Sequence, residues 1–273
     1  MSRERALERR LRTLASLAEV IAALRSLSAQ HFQASRARLP LARAYRDELM
    51  RFLAALDPPP DPPAATPTGI VLVGADLGLV GDYTANLVRE AIALRRERGP
   101  GPLVCLGERA RTGLVRAGIE PTTVKRASTS AAGITTLLVP LVDDLLSLHA
   151  AGAFRSLWLV AARFEGAGHY TPVRVPVLPL PAASGPKLPA SPYADPERLR
   201  QAVTREYLYA ALHETILEAL CSEHGKRLLT TESARGWLDE RIAATRRQLA
   251  SIRRESATQE VLELASAGRF GRT

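Results

Sequence analysis

Aromatic residues make up only 5% of this 273-residue chain, and there are two cysteines and two methionines. Helical rods are often this poor in aromatics, because their seams are built from Leu, Ile and Ala. Lysine is nearly absent: Lys125, Lys187 and Lys226 are set against an abundance of Arg. Arg occurs at every kind of position, which fits a GC-rich genome better than a binding code. Cys105 falls in a predicted strand and Cys221 in a predicted helix, so free buried thiols in a reducing cytosol are expected, not a disulfide framework. No run approaches the ~20 apolar residues of a membrane span. No apolar stretch follows the charged segment Arg3–Arg12, so no signal peptide is expected. The expectation is a protein that is soluble or peripheral to a membrane.

Proline is missing from the entire stretch after Pro196. Glycine there is confined to Gly225 and Gly236 before Gly268. A helix rises about 1.5 Å per residue, so an unbroken helix over 193–267 would span roughly 110 Å. Residues 3–56 also read as helix almost throughout. Leu7, Leu11, Leu14, Ala18 and Ile21 recur at spacings of four and three, and Leu24, Leu27 and Phe32 continue a broader stripe. This predicts coiled-coil periodicity with a slip in phase near Leu24. Pro40 is expected to kink or interrupt the helix. Leu41, Tyr45, Leu49, Phe52 and Leu56 form a second apolar stretch. In the C-terminal segment Leu228, Thr231, Arg235, Leu238, Ile242, Thr245, Leu249, Ile252 and Ser256 form a heptad seam with polar interruptions. One helix cannot bury such a seam alone, so the N-terminal helix is predicted to pair with it, antiparallel. Asp195, Pro196 and Glu197 predict a clean helix start.

Between the helices the pattern is α/β. Strands are predicted at 69–74, 103–106 and 157–162, with an edge strand around 173–180. Helices are predicted at 86–98, 108–117 and 135–151, and the alternation suggests a parallel sheet. Pro58–Pro63 reads as an extended linker. The fold class is α/β: an antiparallel coiled coil of N- and C-terminal helices with an inserted small Rossmann-like domain. The expected divisions are 1–56 (helix), 57–68 (linker), 69–192 (α/β domain) and 193–273 (helix).

The chemistry-bearing candidates are sparse. Gly74-Ala-Asp-Leu-Gly-Leu-Val-Gly81 follows a strand and precedes a helix, as a nucleotide loop would. It lacks the G-x-G-x-x-G fingerprint and a closing Gly-Lys-Ser/Thr, and Asp76 and Asp82 would repel phosphate, so a structural turn is expected. His213 and His224 are too far apart along one helix to chelate a single metal, so packed or solvated histidines are expected. No Ser–His–Asp or Cys–His set is suggested. No catalytic, cofactor-binding or metal-ligating residue is therefore assigned, and no cofactor. The formal charge of +9 and pI near 10.2 suggest an acidic partner. Arg241, Arg246, Arg247, Arg253 and Arg254 read as a solvated helix face or as contacts to an acidic protein surface. Without interleaved aromatics they read poorly as a nucleic-acid site.

These landmarks resemble the gamma subunit of rotary ATP synthases, from about Leu11 to Leu264. Asp76-Leu-Gly-Leu-Val-Gly81 followed by Asn86-Leu87 is similar to the family's D-x-G-L-x-G segment and its asparagine. Asp195-Pro-Glu197 with Tyr207-Leu208 resembles the entry to the family's last helix. Ser222-Glu-His224 with Arg227 resembles S-E-x-x-x-R. Thr258-Gln-Glu260 with Glu263-Leu264 resembles T-x-E-x-x-E-I. The departures mark a divergent member: Arg254 stands where Gln is common, Ala257 for Ile, Leu24 and His31 for Met and Lys, and Asp82 for Gly. Leu17, Leu27 and Leu238-Asp-Glu-Arg-Ile242 look closer to the gamma-like subunit of the sodium-translocating N-ATPase.

The resemblance implies a central-stalk rotor subunit without chemistry of its own. It would couple ion translocation through the membrane ring to ATP synthesis or hydrolysis on the beta subunits. The implied partners are alpha and beta subunits, an epsilon subunit and the membrane c-ring, with no nucleic acid and no direct membrane insertion. The implied location is peripheral, on the cytoplasmic face of the bacterial inner membrane. Arg253, Arg254, Thr258, Gln259 and Glu260 are the implied partner contacts. The rival readings are a Rossmann-like nucleotide-binding enzyme and a basic coiled-coil adaptor for nucleic acid.

Overall fold

The computed structural model describes residues 2–54, 67–166, 168–180 and 195–270. The proline-rich segment 58–63 lies outside these residues. The elements are α1 (Ser2–Ala54), β1 (Thr68–Val73), α2 (Tyr83–Arg98), β2 (Leu103–Leu106), α3 (Glu108–Arg116), β3 (Thr123–Lys125), α4 (Ile134–Ala150), β4 (Ser156–Gly166), β5 (His169–Leu178) and α5 (Pro196–Phe270). A short 3-10 turn, Ala131–Gly133, leads into α4. The chain divides into two compact units. The first joins the stretch up to Leu27 with that from Thr230, and the second is Ser28–Leu229.

In the first unit α1 and α5 run antiparallel. Arg253 pairs with Glu4 (2.8 Å) and Glu8 (2.5 Å), and Arg25 with Glu232 (2.7 Å). From Glu4 to Arg25 is twenty-one residues along α1, and from Arg253 to Glu232 is twenty-one residues back along α5. That is three heptads on each helix, the repeat that keeps one apolar seam facing its partner. Leu14, Leu238, Thr245 and Leu249 are buried along this seam. Arg235, expected in it, is exposed, and Ala234 is the more covered residue.

The second unit corrects three expectations about α1. No phase slip occurs near Leu24. Ser28, Phe32, Ser35, Leu39 and Ala42 are buried, at spacings of four and three, in step with Leu14 and Ile21 seven residues apart. Leu27 is exposed and lies off the seam. Small polar residues hold seam positions, and an apolar neighbour mimics a shift of register. Pro40 does not interrupt α1. It is exposed, so water can reach the carbonyl whose helical bond it removes. Leu41, Tyr45 and Phe52 point outward, and Leu39, Ala42 and Leu53 are the buried residues of that stretch.

The sheet order is β3-β2-β1-β4-β5, with the first four strands parallel and β5 antiparallel at the edge. Side chains alternate between two cores. Val71, Val73, Val104, Leu106, Leu157 and Leu159 face α4, α5 and α1. Ile70, Leu72, Leu103, Cys105 and Val160 face α2 and α3. The reason is topological: β1 to β2 to β3 moves one way across the sheet, and β3 to β4 returns past β1. Right-handed crossovers then place α4 on the opposite face from α2 and α3. β5 carries Pro172 and Pro176, which an edge strand accepts because one side needs no ladder donor. The sequence reading missed β3, only three residues long, and ended β4 four residues early.

The apolar-run expectation also needs correction. Ala131–Ala150 is long and apolar enough by composition to cross a membrane. In the fold its Ile134, Leu138, Leu141, Val142 and Leu145 are buried in the core shared with the sheet. Both thiols are buried, and desolvation pushes Cys105 and Cys221 up to about 12.

The two glycines inside α5 differ in role. A Cβ at Gly225 would lie 2.9 Å from the backbone nitrogen of Gly168 and 3.4 Å from the Phe32 ring, whereas one at Gly236 meets nothing within 4 Å. Gly225→Ala is expected to destabilise the chain by about 1–3 kcal/mol through overpacking. Gly236→Ala is expected to stabilise it by about 1 kcal/mol, since only helix propensity changes. Denaturant unfolding of the two variants checks the contrast.

Candidate functional site at the 74–81 turn

In a doubly wound sheet the ligand crevice lies beyond the carboxyl ends of the strands, where the strand order reverses. Here that place is between β1 and β4, and the 74–81 turn leaves β1 at it. Three features fill it with protein. Asp76, nearly buried, accepts the Glu108 backbone N–H at 2.8 Å, occupying the start of α3. It also accepts from the Ala127 N–H at 3.4 Å and pairs with Arg126 at 3.2 Å. Asp82 stands just before α2, paired with Lys226 at 3.1 Å. Both helix starts that could attract a phosphate thus carry carboxylates. The space left beneath the turn is about 10 Å³, lined by Val73, Gly74, Leu106, Ile216 and Glu223 among others, room for about one water.

The third feature is α5. Arg227 is 1% exposed, a costly place for a cation without acceptors. Its Nε donates to the Gly78 carbonyl at 3.0 Å and Nη2 to the Leu77 carbonyl at 3.4 Å. Nη2 also donates to the Glu223 carboxylate, one helical turn earlier. Nη1 faces His224 Nδ1 at 3.1 Å. Burial raises the Glu223 carboxyl, with Arg227 pulling the other way. The His224 tautomer follows from its neighbours. Nε2 lies 3.1 Å from the Thr129 carbonyl, which only accepts, so Nε2 carries the proton. Nδ1 then accepts from Arg227, and burial with the adjacent cation lowers His224 to about 4. Tyr83, the first residue of α2, donates to the Ala219 carbonyl of α5 at 3.1 Å. Asn86 donates to the Tyr170 hydroxyl at 2.9 Å.

The turn itself is strained. Leu79 has φ 59°, a left-handed conformation costing a non-glycine residue roughly 1–2 kcal/mol. The Arg227 bonds fall on the two carbonyls just before it. Leu77 and Leu79 project outward, 42% and 37% exposed.

The structure therefore joins two segments singled out from sequence, 76–81 with its Asn86 and Ser222-Glu223-His224 with Arg227. The sequence reading missed the cap made by Asp76 and the target of Arg227. A signal for the latter was present: Glu223 and Arg227 are spaced four apart on one helix, as an ion pair on one face would be. His224 is packed, and His213 is half-buried, with desolvation lowering it. Arg253, Arg254, Thr258, Gln259 and Glu260 lie on exposed α5. Arg253 is engaged with Glu4 and Glu8, and Thr258 with the Arg254 carbonyl at 2.8 Å.

A doubly wound domain whose switch-point crevice is occupied by its own last helix, with an antiparallel pair of long terminal helices, has the architecture of a connecting protein. The model of the ATP synthase family matches residues 3–268, and the chain belongs to that family. It is 28% identical to the ATP synthase gamma chain of Moorella thermoacetica, over 97% of this chain and 98% of that one. It is 26% identical to that of Symbiobacterium thermophilum, over 96% of each. Among solved structures it is similar to a chain of the Euglena gracilis mitochondrial ATP synthase OSCP/F1/c-ring assembly, with a TM-score of 0.66, 13% identity and coverage of 98% and 94%. It is also similar to a chain of the Tetrahymena thermophila mitochondrial ATP synthase central stalk and c-ring, with a TM-score of 0.59, 17% identity and coverage of 79% and 99%.

Removing Arg227 alone would leave the Glu223 carboxylate buried and unpaired. Arg227→Ala is expected to cost about 3–5 kcal/mol, and the double change Glu223→Leu with Arg227→Met much less. Equilibrium unfolding of both checks this.

Proposed function

We propose that this chain is the central-stalk rotor subunit of a rotary ATP synthase, coupling ion translocation through a membrane ring to ATP synthesis or hydrolysis on beta subunits. The observation that carries the reading is the antiparallel pair in the first unit, held in heptad register at both ends by Arg253 and Arg25. A shaft transmits torque if it resists slipping, and a matched heptad seam that buries Leu14, Leu238 and Leu249 supplies that resistance, the ion pairs marking its register. The gamma-chain relatives along nearly the whole length support it.

On this reading the partners are alpha and beta subunits around the helical pair, and an epsilon subunit and the c-ring near the α/β domain. The chain carries no chemistry: nucleotide, magnesium and phosphate bind elsewhere in the complex. Its contribution is differential contact, favouring one state of each catalytic site at each angle. It works at the cytoplasmic face of the bacterial inner membrane without entering the bilayer. The nucleotide-enzyme reading is disfavoured by the filled crevice and its two carboxylates. The test is assembly with the alpha and beta subunits of the same organism and observation of a bead fixed to the α/β domain. ATP-driven stepwise rotation is expected, and ATP hydrolysis with a stationary bead overturns the proposal.

Arg253, Arg254, Thr258, Gln259 and Glu260 form the proposed contact with the ring. Arg254 is exposed, and its Nε donates to the Ala250 carbonyl behind it at 3.4 Å. Exposed ion pairs such as those of Arg253 contribute little to stability. Replacing both arginines with Ala is therefore expected to leave thermal unfolding of the chain close to wild type. ATP-driven ion pumping by the reconstituted complex should fall several-fold. Unchanged pumping argues against this contact.

A further inference from the structure

His224 is 2% exposed and has both ring nitrogens committed in opposite senses. Nε2–H donates to Thr129, and Nδ1 accepts from Arg227. The surrounding charged and titratable groups come from every packed element. From α5 there are Arg227 and Glu223; from α1, the His31 ring at 5.2 Å; from the turn, Asp76; from α2, the buried Tyr83, which feels both Glu223 and Arg227. Beyond them lie Arg126 on Asp76 and the Lys226–Asp82 pair. Both carboxylates that face the cluster are already engaged, Glu223 by Arg227 and Asp76 by α3.

We propose that His224 is the acid-sensitive pin of a latch between α5 and the 76–81 turn. A proton taken from solvent at Nδ1 turns an acceptor into a donor facing the Arg227 N–H. It also sets a second cation beside the guanidinium in a buried place. The Nη1 bond breaks, Arg227 withdraws from the Leu77 and Gly78 carbonyls, and the strained conformation at Leu79 relaxes. Leu77 and Leu79 then lose their fixed presentation. The leucine-rich face of α5 against the sheet needs none of these bonds, so the helices stay formed. The sign follows from the depressed basicity of His224, about 4 against its usual 6.5. The fold holds the neutral ring at neutral pH, so the latch is closed there, and opening grows more favourable as pH falls from 6.5 toward 4, with the raised Glu223 carboxyl also losing charge on the way down.

The test is an NMR titration of the full chain. It follows the His224 ring carbon shift, the Arg227 Nε–H signal and helical ellipticity from pH 7.5 to 3.5. The ring shift and loss of the Arg227 signal should share one midpoint, with ellipticity retained there. The variant His224→Gln, whose amide both donates and accepts but does not titrate, should keep the Arg227 signal below that midpoint. Loss of the Arg227 signal only together with ellipticity overturns the latch, as does a ring midpoint that differs from it. Loss at the wild-type pH in the Gln variant also overturns it. If that variant fails to fold at pH 7.5, coincidence of the two wild-type midpoints before helix loss decides alone.

Discussion

A guanidinium shut away from water requires acceptors on every side, and Arg227 finds them on two pieces of chain far apart in sequence. Its own helix supplies Glu223 and His224, and the turn after β1 supplies two backbone carbonyls. That demand ties the last helix to the α/β domain more specifically than apolar contact could. Leucines of α5 would pack against the sheet over a range of small rotations, because burial has no direction. The hydrogen bonds of Arg227 choose one. Tyr83 on Ala219 and the Gly225–Gly168 approach agree with that choice.

The filling of the crevice follows from the same contact. Doubly wound sheets leave an opening beyond the strand ends because loops diverge there. Here the opening receives Ile216, Leu220 and Glu223 from α5, and the flanking helix starts receive Asp76 and Asp82. The features that a nucleotide would need have been given over to holding a helix.

Much of this was legible in sequence because the signals were local. β2 and the start of α3 lie where apolar runs and glycine punctuation place them, and the absence of proline foretold an uninterrupted α5. Apart from Pro40, which exposure to water makes tolerable, the errors share a cause: they depended on a partner distant in sequence. Ser28 and Ser35 are seam residues because of what faces them, not because they are apolar. Leu41 and Phe52 face outward because Leu39, Ala42 and Leu53 already meet the core. β3 is too short to carry a pattern and exists because β2 offers it a free edge. At the site, the turn and the Ser222–Arg227 segment were both visible. Their union spans about 150 residues of chain, and no periodicity encodes such a contact. The Asp76 cap, reaching Glu108 across 32 residues, was hidden for the same reason.

The buried thiols have a practical consequence. With Cys105 and Cys221 held near 12, roughly one sulfur in 10⁵ is ionised at pH 7, and the thiolate is the form that reacts. Both are also out of reach of a bulky reagent. The native chain is therefore a silent background for maleimide chemistry. A single cysteine placed on the outer face of α1 would take a dye or a spin label without first removing the two that nature left.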